Sequence, residues 1–167
     1  MAEQPTAPDT AGVIAPPPVI AAVALALALM LDMVWPSTVL PAIGFFLRQI
    51  LAAPLIAAAV ALALSGERGF KAAGTTPLPW RPSTALVTTG LYGRVRNPMY
   101  VGLILLLVGL ALALASDWLI VMAVPAALVL HYGVVLREER YLEAKFGDDY
   151  RRYKAEVPRY GWPPIKG

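Results

Sequence analysis

The sequence has no cysteine and a single histidine, His131, among its 167 residues. Without cysteine there is no disulfide, no thiol nucleophile and no thiolate metal site, and one histidine cannot form a multi-histidine metal centre. Charged residues make up only 15% of the chain, compared with roughly 25% in soluble domains. The net charge of +3 is too small to indicate nucleic-acid binding. We therefore expect neither a metal site nor a nucleic-acid partner.

Apolar residues dominate instead, at 58% of the chain with a mean hydropathy of +0.62. A single domain of this length could not bury so much apolar surface in water. Four apolar stretches have about the length that a helix needs to cross a bilayer. They are residues 19–35, 43–64, 99–115 and 118–136. Because a backbone in lipid must satisfy its hydrogen bonds internally, we predict an all-α integral-membrane fold with about four transmembrane helices.

The basic residues are distributed unevenly over the predicted bundle. Five lie in the segment 65–97 and eight follow the last span, so that 13 of the 14 fall on one face. By the positive-inside rule this face and both termini are cytoplasmic, in a multi-pass protein of the cell (inner) membrane. Residues 1–18 are rich in Pro, Ala and Thr, and we predict a disordered tail there. We interpret residues 19–64 as a two-helix membrane scaffold and 65–167 as the functional half, in which a cytoplasmic loop precedes a helical hairpin over 99–136 and a cytoplasmic tail.

Polar residues at the two ends of this hairpin are predicted to meet. Asn97 lies about 19 residues before the turn at 116–117 and Glu138 about 21 residues after it, so antiparallel helices bring both to the same depth. Asn97 and Pro98 suit the start of a helix, whose free N–H groups attract an anion. Glu138 and Glu139 can hold an ammonium group, and the two ends together suit a zwitterionic or mixed-charge small molecule. Alternatively, Asn97 is only a helix cap and the glutamates only a solvated helix end.

Two segments can cover this predicted site. The loop 65–97 is longer than a simple connection and carries apolar anchors, which favours its folding back over the membrane face. In the tail, apolar residues recur at steps of three and four, which is one stripe of an amphipathic helix, with an interruption predicted at Gly147. Such a helix either lies on the lipid surface or covers the site, and the two are compatible. The stripe consists of Leu142, Phe146, Tyr150, Tyr153 and Val157.

Five short motifs follow one another in the second half of the chain. They are LVTTGLY at 86–92, RNPMYVG at 96–102, EERYL at 138–142, FGDDY at 146–150 and VPR at 157–159. In this order they resemble the isoprenylcysteine carboxyl methyltransferase family and the related phospholipid methyltransferases. The resemblance implies an integral-membrane enzyme that transfers a methyl group from S-adenosyl-L-methionine to a lipophilic or lipid-modified acceptor. It also implies that the cofactor lies between the hairpin ends, the preceding loop and the tail helix.

The resemblance further implies roles for individual residues. Many family members have histidine at the position of Asn97, and the eukaryotic members have a substrate-binding arginine at the position of Val134. The resemblance therefore supports the fold and the cofactor more strongly than it supports a prenylcysteine substrate. The cofactor-binding residues implied by the match are Leu86, Val87, Tyr92, Asn97, Pro98, Met99, Tyr100 and Glu138.

The catalytic candidates are Arg96, Asn97 and Glu139. The planar guanidinium of Arg96 can orient the acceptor or the cofactor carboxylate. A carboxylate acceptor is ionised at pH 7 and needs no base, whereas an amine or thiol acceptor needs one, for which Glu139 and His131 are the candidates. His131 is alternatively a neutral histidine bonded to a neighbouring helix.

Other functions stay open at this point. Within the same enzyme class, the acceptor can be a phospholipid-type amine. A small four-span transporter or a non-enzymatic membrane subunit are alternatives from other classes. Membrane lipids are partners in every one of these interpretations.

Overall fold

The computed structural model describes residues 10–161, which form helices and contain no β-strand. Three helices are long and apolar enough to cross a membrane, so the predicted all-α integral-membrane fold is confirmed. The last of the three runs from Asp117 to Glu156, with a break at Gly147. In chain order the elements are α1 (Pro17–Val34), α2 (Val39–Ala42), α3 (Phe45–Ala72), a 3₁₀ turn (Gly90–Gly93), α4 (Pro98–Leu114), α5 (Asp117–Leu130), a π-helical segment (His131–Val135) and α6 (Leu136–Glu156).

The predicted spans agree with the helices except at two places. Helix α4 has 17 residues, about 25 Å of rise, and is shorter than the three helices that are long enough to cross a membrane. The fourth span therefore stays a prediction. Helix α3 continues past the predicted end of its apolar stretch to Ala72. The added turns are polar but contain no proline, and hydropathy detects where the lipid ends rather than where the helix ends. The connection between α3 and α4 is therefore shorter than predicted.

Helix α4 lies at the centre of the bundle, in contact with α1, α3 and α5. Its glycines allow α3 to approach closely: a Cβ atom on Gly102 would lie 3.1 Å from the carbonyl oxygen of Ala59, and one on Gly109 would lie 2.8 Å from Ile56. These small residues are thus helix-packing positions, as in many membrane bundles. Helix α1 packs mainly on α5.

Carboxylates fasten the connections where α1 and α4 end. The Asp117 carboxylate accepts hydrogen bonds from the backbone N–H groups of residues 38–40, at 2.7 to 2.8 Å. Asp32 accepts from the hydroxyls of Ser37 and Ser116. Because residues 38–40 form the first turn of α2, Asp117 caps that helix from a distant part of the chain.

We expect Asp117→Ala to lower the free energy of unfolding by about 0.5–2 kcal/mol, the usual effect of removing a helix cap. Thermal unfolding in detergent measures this. Asp148→Ala is the matched control, because Asp148 pairs with Arg151 at the surface and its side chain is 83% exposed. An equal loss in both variants would contradict the capping role.

Residues 10–16 lie against the bundle. The N–H of Ile14 donates to the carbonyl of Gly133 at 3.2 Å, and the Ile14 side chain occupies the space beside that glycine. This contact lies within the segment for which a disordered tail, residues 1–18, is predicted, and that tail stays a prediction. Residues 1–9 lie outside the described part of the chain.

Candidate active site

A cavity of about 360 Å³ lies where the α3–α4 loop meets the starts of α4 and α6. Its wall continues between α3 and α4 along apolar side chains. The polar part and the apolar part therefore share one space. The predicted cofactor-binding residues and the catalytic candidates Arg96, Asn97 and Glu139 line this cavity, whereas the alternative base His131 does not. These predicted lining residues are Leu86, Val87, Tyr92, Arg96, Asn97, Pro98, Met99, Tyr100, Glu138 and Glu139.

The ends of the predicted hairpin meet, as their spacing predicted. The hydroxyl of Tyr100, in the first turn of α4, donates to Glu138 Oε1 at 2.7 Å. Within residues 10–161, this is the hydrogen bond that the Glu138 carboxylate accepts, and it uses Oε1 and not Oε2. Pro98 occupies the first position of α4, where its missing N–H costs nothing.

The electrostatics of Glu138 follow from its position. The apolar part of the long helix ends at Leu136, so Glu138 lies beyond it. Burial raises the pKa of Glu138 to about 7, against the opposing effect of the hydrogen bond from Tyr100, and the charge of Glu139 adds to the rise. A cation placed beside this carboxylate would favour its ionised form.

Glu139 has a different environment, between two arginines. Its Oε1 accepts from Arg96 Nη1 at 2.8 Å and from Arg159 Nε at 2.8 Å, and its Oε2 accepts from Arg159 Nη2 at 2.7 Å. The side chains of Glu139 and Arg96 are 8% and 9% exposed. Both oxygens are therefore engaged, and the bidentate Arg159 pair has the geometry that orients a carboxylate most strongly. The predicted base role stays a prediction, and this geometry favours a positioning role.

The chain after α6 returns along the start of α4. The backbone N–H and Nε of Arg96 donate to the carbonyls of Pro158 and Val157, each at 2.9 Å. The backbone N–H and the Nδ2 of Asn97 donate to the carbonyl of Arg159, at 3.2 and 3.3 Å. Asn97 thus stands at the predicted cap position, but its side chain binds the returning segment instead of the α4 N–H groups.

The second half of α6 packs on the α3–α4 loop. Gly147 has φ 54° and ψ −124°, which glycine adopts readily, and it breaks the helix where the sequence predicted. Beyond this break, Tyr150, Tyr153 and Val157 form a buried cluster, and the Tyr153 hydroxyl donates to the carbonyl of Tyr92 at 2.7 Å. These contacts between the α3–α4 loop and α6 keep both elements in place over the cavity.

Sequence reasoning left two residues without a role. Arg159 belongs to the VPR motif, but nothing in that motif pairs it with Glu139. Tyr141 stands in the EERYL motif without an assigned role, and its contact with the Ser83 amide joins α6 to a loop, which a sequence pattern does not show. His131 is absent from the cavity lining, and its Nδ1 lies 2.7 Å from the hydroxyl of Tyr160.

Comparison with known proteins identifies a family and a relative. Residues 47–149, more than half of the chain, match the family described as phospholipid methyltransferase. This range includes the α4 start and both glutamates of the cavity. An uncharacterized protein of Haemophilus influenzae is 42% identical over 62 residues, which are 37% of this chain and 98% of that protein.

Proposed function

The chain belongs to the phospholipid methyltransferase family, and from this premise we propose that it transfers a methyl group from S-adenosylmethionine to a lipophilic acceptor. The observation that carries the proposal is the cavity, whose polar end at Glu138 continues into an apolar space between α3, which is long enough to cross a membrane, and the apolar helix α4. A water-soluble cofactor and a lipid-soluble acceptor need such a space in order to meet.

The residues present fit this cofactor. A volume of about 360 Å³ lies within the range of about 300–1,000 Å³ that is usual for small-molecule sites. Glu138 can accept from the ammonium of its amino-acid group, and the rings of Tyr92 and Tyr100 supply aromatic surface. When bound, S-adenosylmethionine supplies a methyl group on a sulfonium: the bond to sulfur breaks, the bond to the acceptor forms, and a neutral thioether leaves.

The protein contributes by positioning the two reactants and by excluding water from them. Correct alignment of two reactants can lower a barrier by about 7–11 kcal/mol. The Glu139 carboxylate fixes Arg96 and Arg159, and through them the start of α4 and the segment that crosses it. The α3–α4 loop and α6 cover the cavity from the polar side.

We place the hydrocarbon part of the acceptor in the apolar end of the cavity. Its lining there comes from Ala59 and Ala63 of α3, Leu103 and Leu106 of α4, and Pro17 of α1. With the basic face cytoplasmic, methyl transfer occurs at the cytoplasmic surface of the cell membrane, and both termini face that side.

The acceptor group that we favour is a carboxylate. Both oxygens of Glu139 are paired with guanidinium groups, and a carboxylate acceptor is the one that needs no base. A lipid amine is the second candidate, supported by the description of the family. An amine needs a base, for which Glu139 stays the predicted candidate that lines the cavity.

Two measurements test the function. Calorimetry of the purified protein in detergent should detect binding of S-adenosylhomocysteine, and no binding at millimolar concentration would overturn the proposal. Membranes containing the protein should transfer labelled methyl groups from S-adenosylmethionine to lipid-soluble material. Mild base releases the label as methanol from a carboxyl ester but not from an amine, which distinguishes the two acceptors.

A further inference from the structure

Tyr141 is a cavity residue to which neither the sequence motifs nor the proposed function assigns a role. It lies three residues after Glu138 on α6, so both side chains occupy the same face of the helix. The residue is 4% exposed and lines the cavity. Tyr141 therefore stands one helical turn beyond Glu138 on the same wall.

The hydroxyl of Tyr141 already accepts two hydrogen bonds. The backbone N–H of Ser83, in the α3–α4 loop, donates to it at 3.0 Å, and Nζ of Lys145 donates to it at 3.0 Å. A phenol oxygen has two acceptor positions and one hydrogen to donate. Within residues 10–161, the contacts of this hydroxyl use the acceptor positions only. Its hydrogen is left for a partner in the cavity.

The surroundings of this hydroxyl favour a negatively charged partner. A lysine ammonium and a backbone N–H both point at the oxygen, which polarises the O–H bond outward. Glu138, one turn away, presents a carboxylate that favours a positive partner. The wall of the cavity thus offers a site for an anion next to a site for a cation, at a separation of about one helical turn.

We propose that the Tyr141 hydroxyl, held by Lys145 and the Ser83 amide, donates a hydrogen bond to the carboxylate of an α-amino-acid group whose ammonium faces Glu138. The inference rests on the proposed function, because S-adenosylmethionine and S-adenosylhomocysteine both carry this group. Tyr141 is then a ligand-binding residue, and Lys145 is a positioning residue that acts through it.

The experiment compares two ligands by calorimetry, S-adenosylhomocysteine and its decarboxylated analogue, which lacks only the carboxylate. The wild-type protein should bind the first about ten- to a hundredfold more tightly, the usual effect of a hydrogen bond to a charged group. Tyr141→Phe keeps the ring and should remove most of this difference. Affinity for the decarboxylated analogue should stay within about twofold of wild type.

Two further variants make the test specific. Lys145→Met should weaken binding of S-adenosylhomocysteine, but should have no additional effect in the Tyr141→Phe background. Tyr132→Phe, at a residue that is 64% exposed and outside the cavity lining, should bind both ligands as the wild type does.

The outcomes separate this inference from the function on which it rests. If wild type binds neither ligand, the proposed function fails and the inference with it. If wild type binds S-adenosylhomocysteine and Tyr141→Phe binds it equally well, or loses affinity for both ligands alike, the inference alone is overturned.

Discussion

Replacing Glu138 by glutamine is expected to lower the affinity for S-adenosylhomocysteine by about ten- to a hundredfold. Glutamine keeps the size of the side chain and an oxygen that accepts from Tyr100, but it lacks the charge that holds an ammonium group. Calorimetry in detergent measures the change, and an unaltered thermal unfolding curve shows that the fold is intact. Glu143→Gln is the control, because Glu143 lies on the same helix, pairs with Arg151 and Lys154, and does not line the cavity.

The same carboxylate should make ligand binding depend on pH. With a pKa of about 7, the ionised fraction of Glu138 rises from about a tenth at pH 6 to about nine tenths at pH 8. The affinity of the wild type should therefore increase by up to about tenfold across this interval and level off above it. Glu138→Gln should show a flat profile. If glutamine changes neither the affinity nor the profile, Glu138 does not contact the ligand.

Replacing Glu139 by glutamine is expected to lower the free energy of unfolding by about 3–5 kcal/mol, the effect of breaking a buried ion pair from one side. The change leaves the Arg96 and Arg159 guanidinium groups close together without a counter-charge. The segment 157–159 should detach from the start of α4, which hydrogen exchange of the Arg96 and Asn97 amides would detect as faster exchange. The affinity for the cofactor should fall when this segment detaches.

Arg159→Gln separates positioning from base catalysis. If Glu139 positions the site, this variant should reproduce the loss of cofactor affinity in milder form, because Arg96 still pairs with Glu139. The double variant should lose less than the sum of the single losses. If Glu139 is instead a catalytic base, Glu139→Gln should retain cofactor binding and lower kcat, while Arg159→Gln leaves kcat unchanged.

Much of the fold followed from simple regularities. Apolar length predicted the helices, and equal distances from one turn predicted that Asn97 and Glu138 lie at the same depth, because antiparallel helices rise equally per residue. The break at Gly147 followed from the freedom of glycine in an otherwise helical stripe. These features depend on the local sequence and on how the two hairpin helices align with each other. Both can be read from the spacing of residues along the chain.

The partners inside the site could not be predicted in the same way. That Glu139 is paired on both oxygens depends on where Pro158 turns the chain and on the angle at which the last segment crosses α4. Likewise, the two donors of Tyr141 come from a loop and from the following helical turn. Such contacts arise from the packing of elements on one another, and adjacent glutamates acquire opposite surroundings from a rotation of about 100° along the helix.

The helical path from Asp117 to Glu139 joins the distant turn to the cavity without a loop. At one end it is tied to the α1–α3 connection through the Asp117 carboxylate, and at the other it carries the glutamate pair. A helix that tilts to match a thinner bilayer moves as a rod, apart from bending at Pro125 and at the π-helical segment. We therefore expect lipid chain length to act on the geometry of Glu138 and Glu139, and the turnover of the protein to vary with the hydrocarbon thickness of the vesicles that contain it.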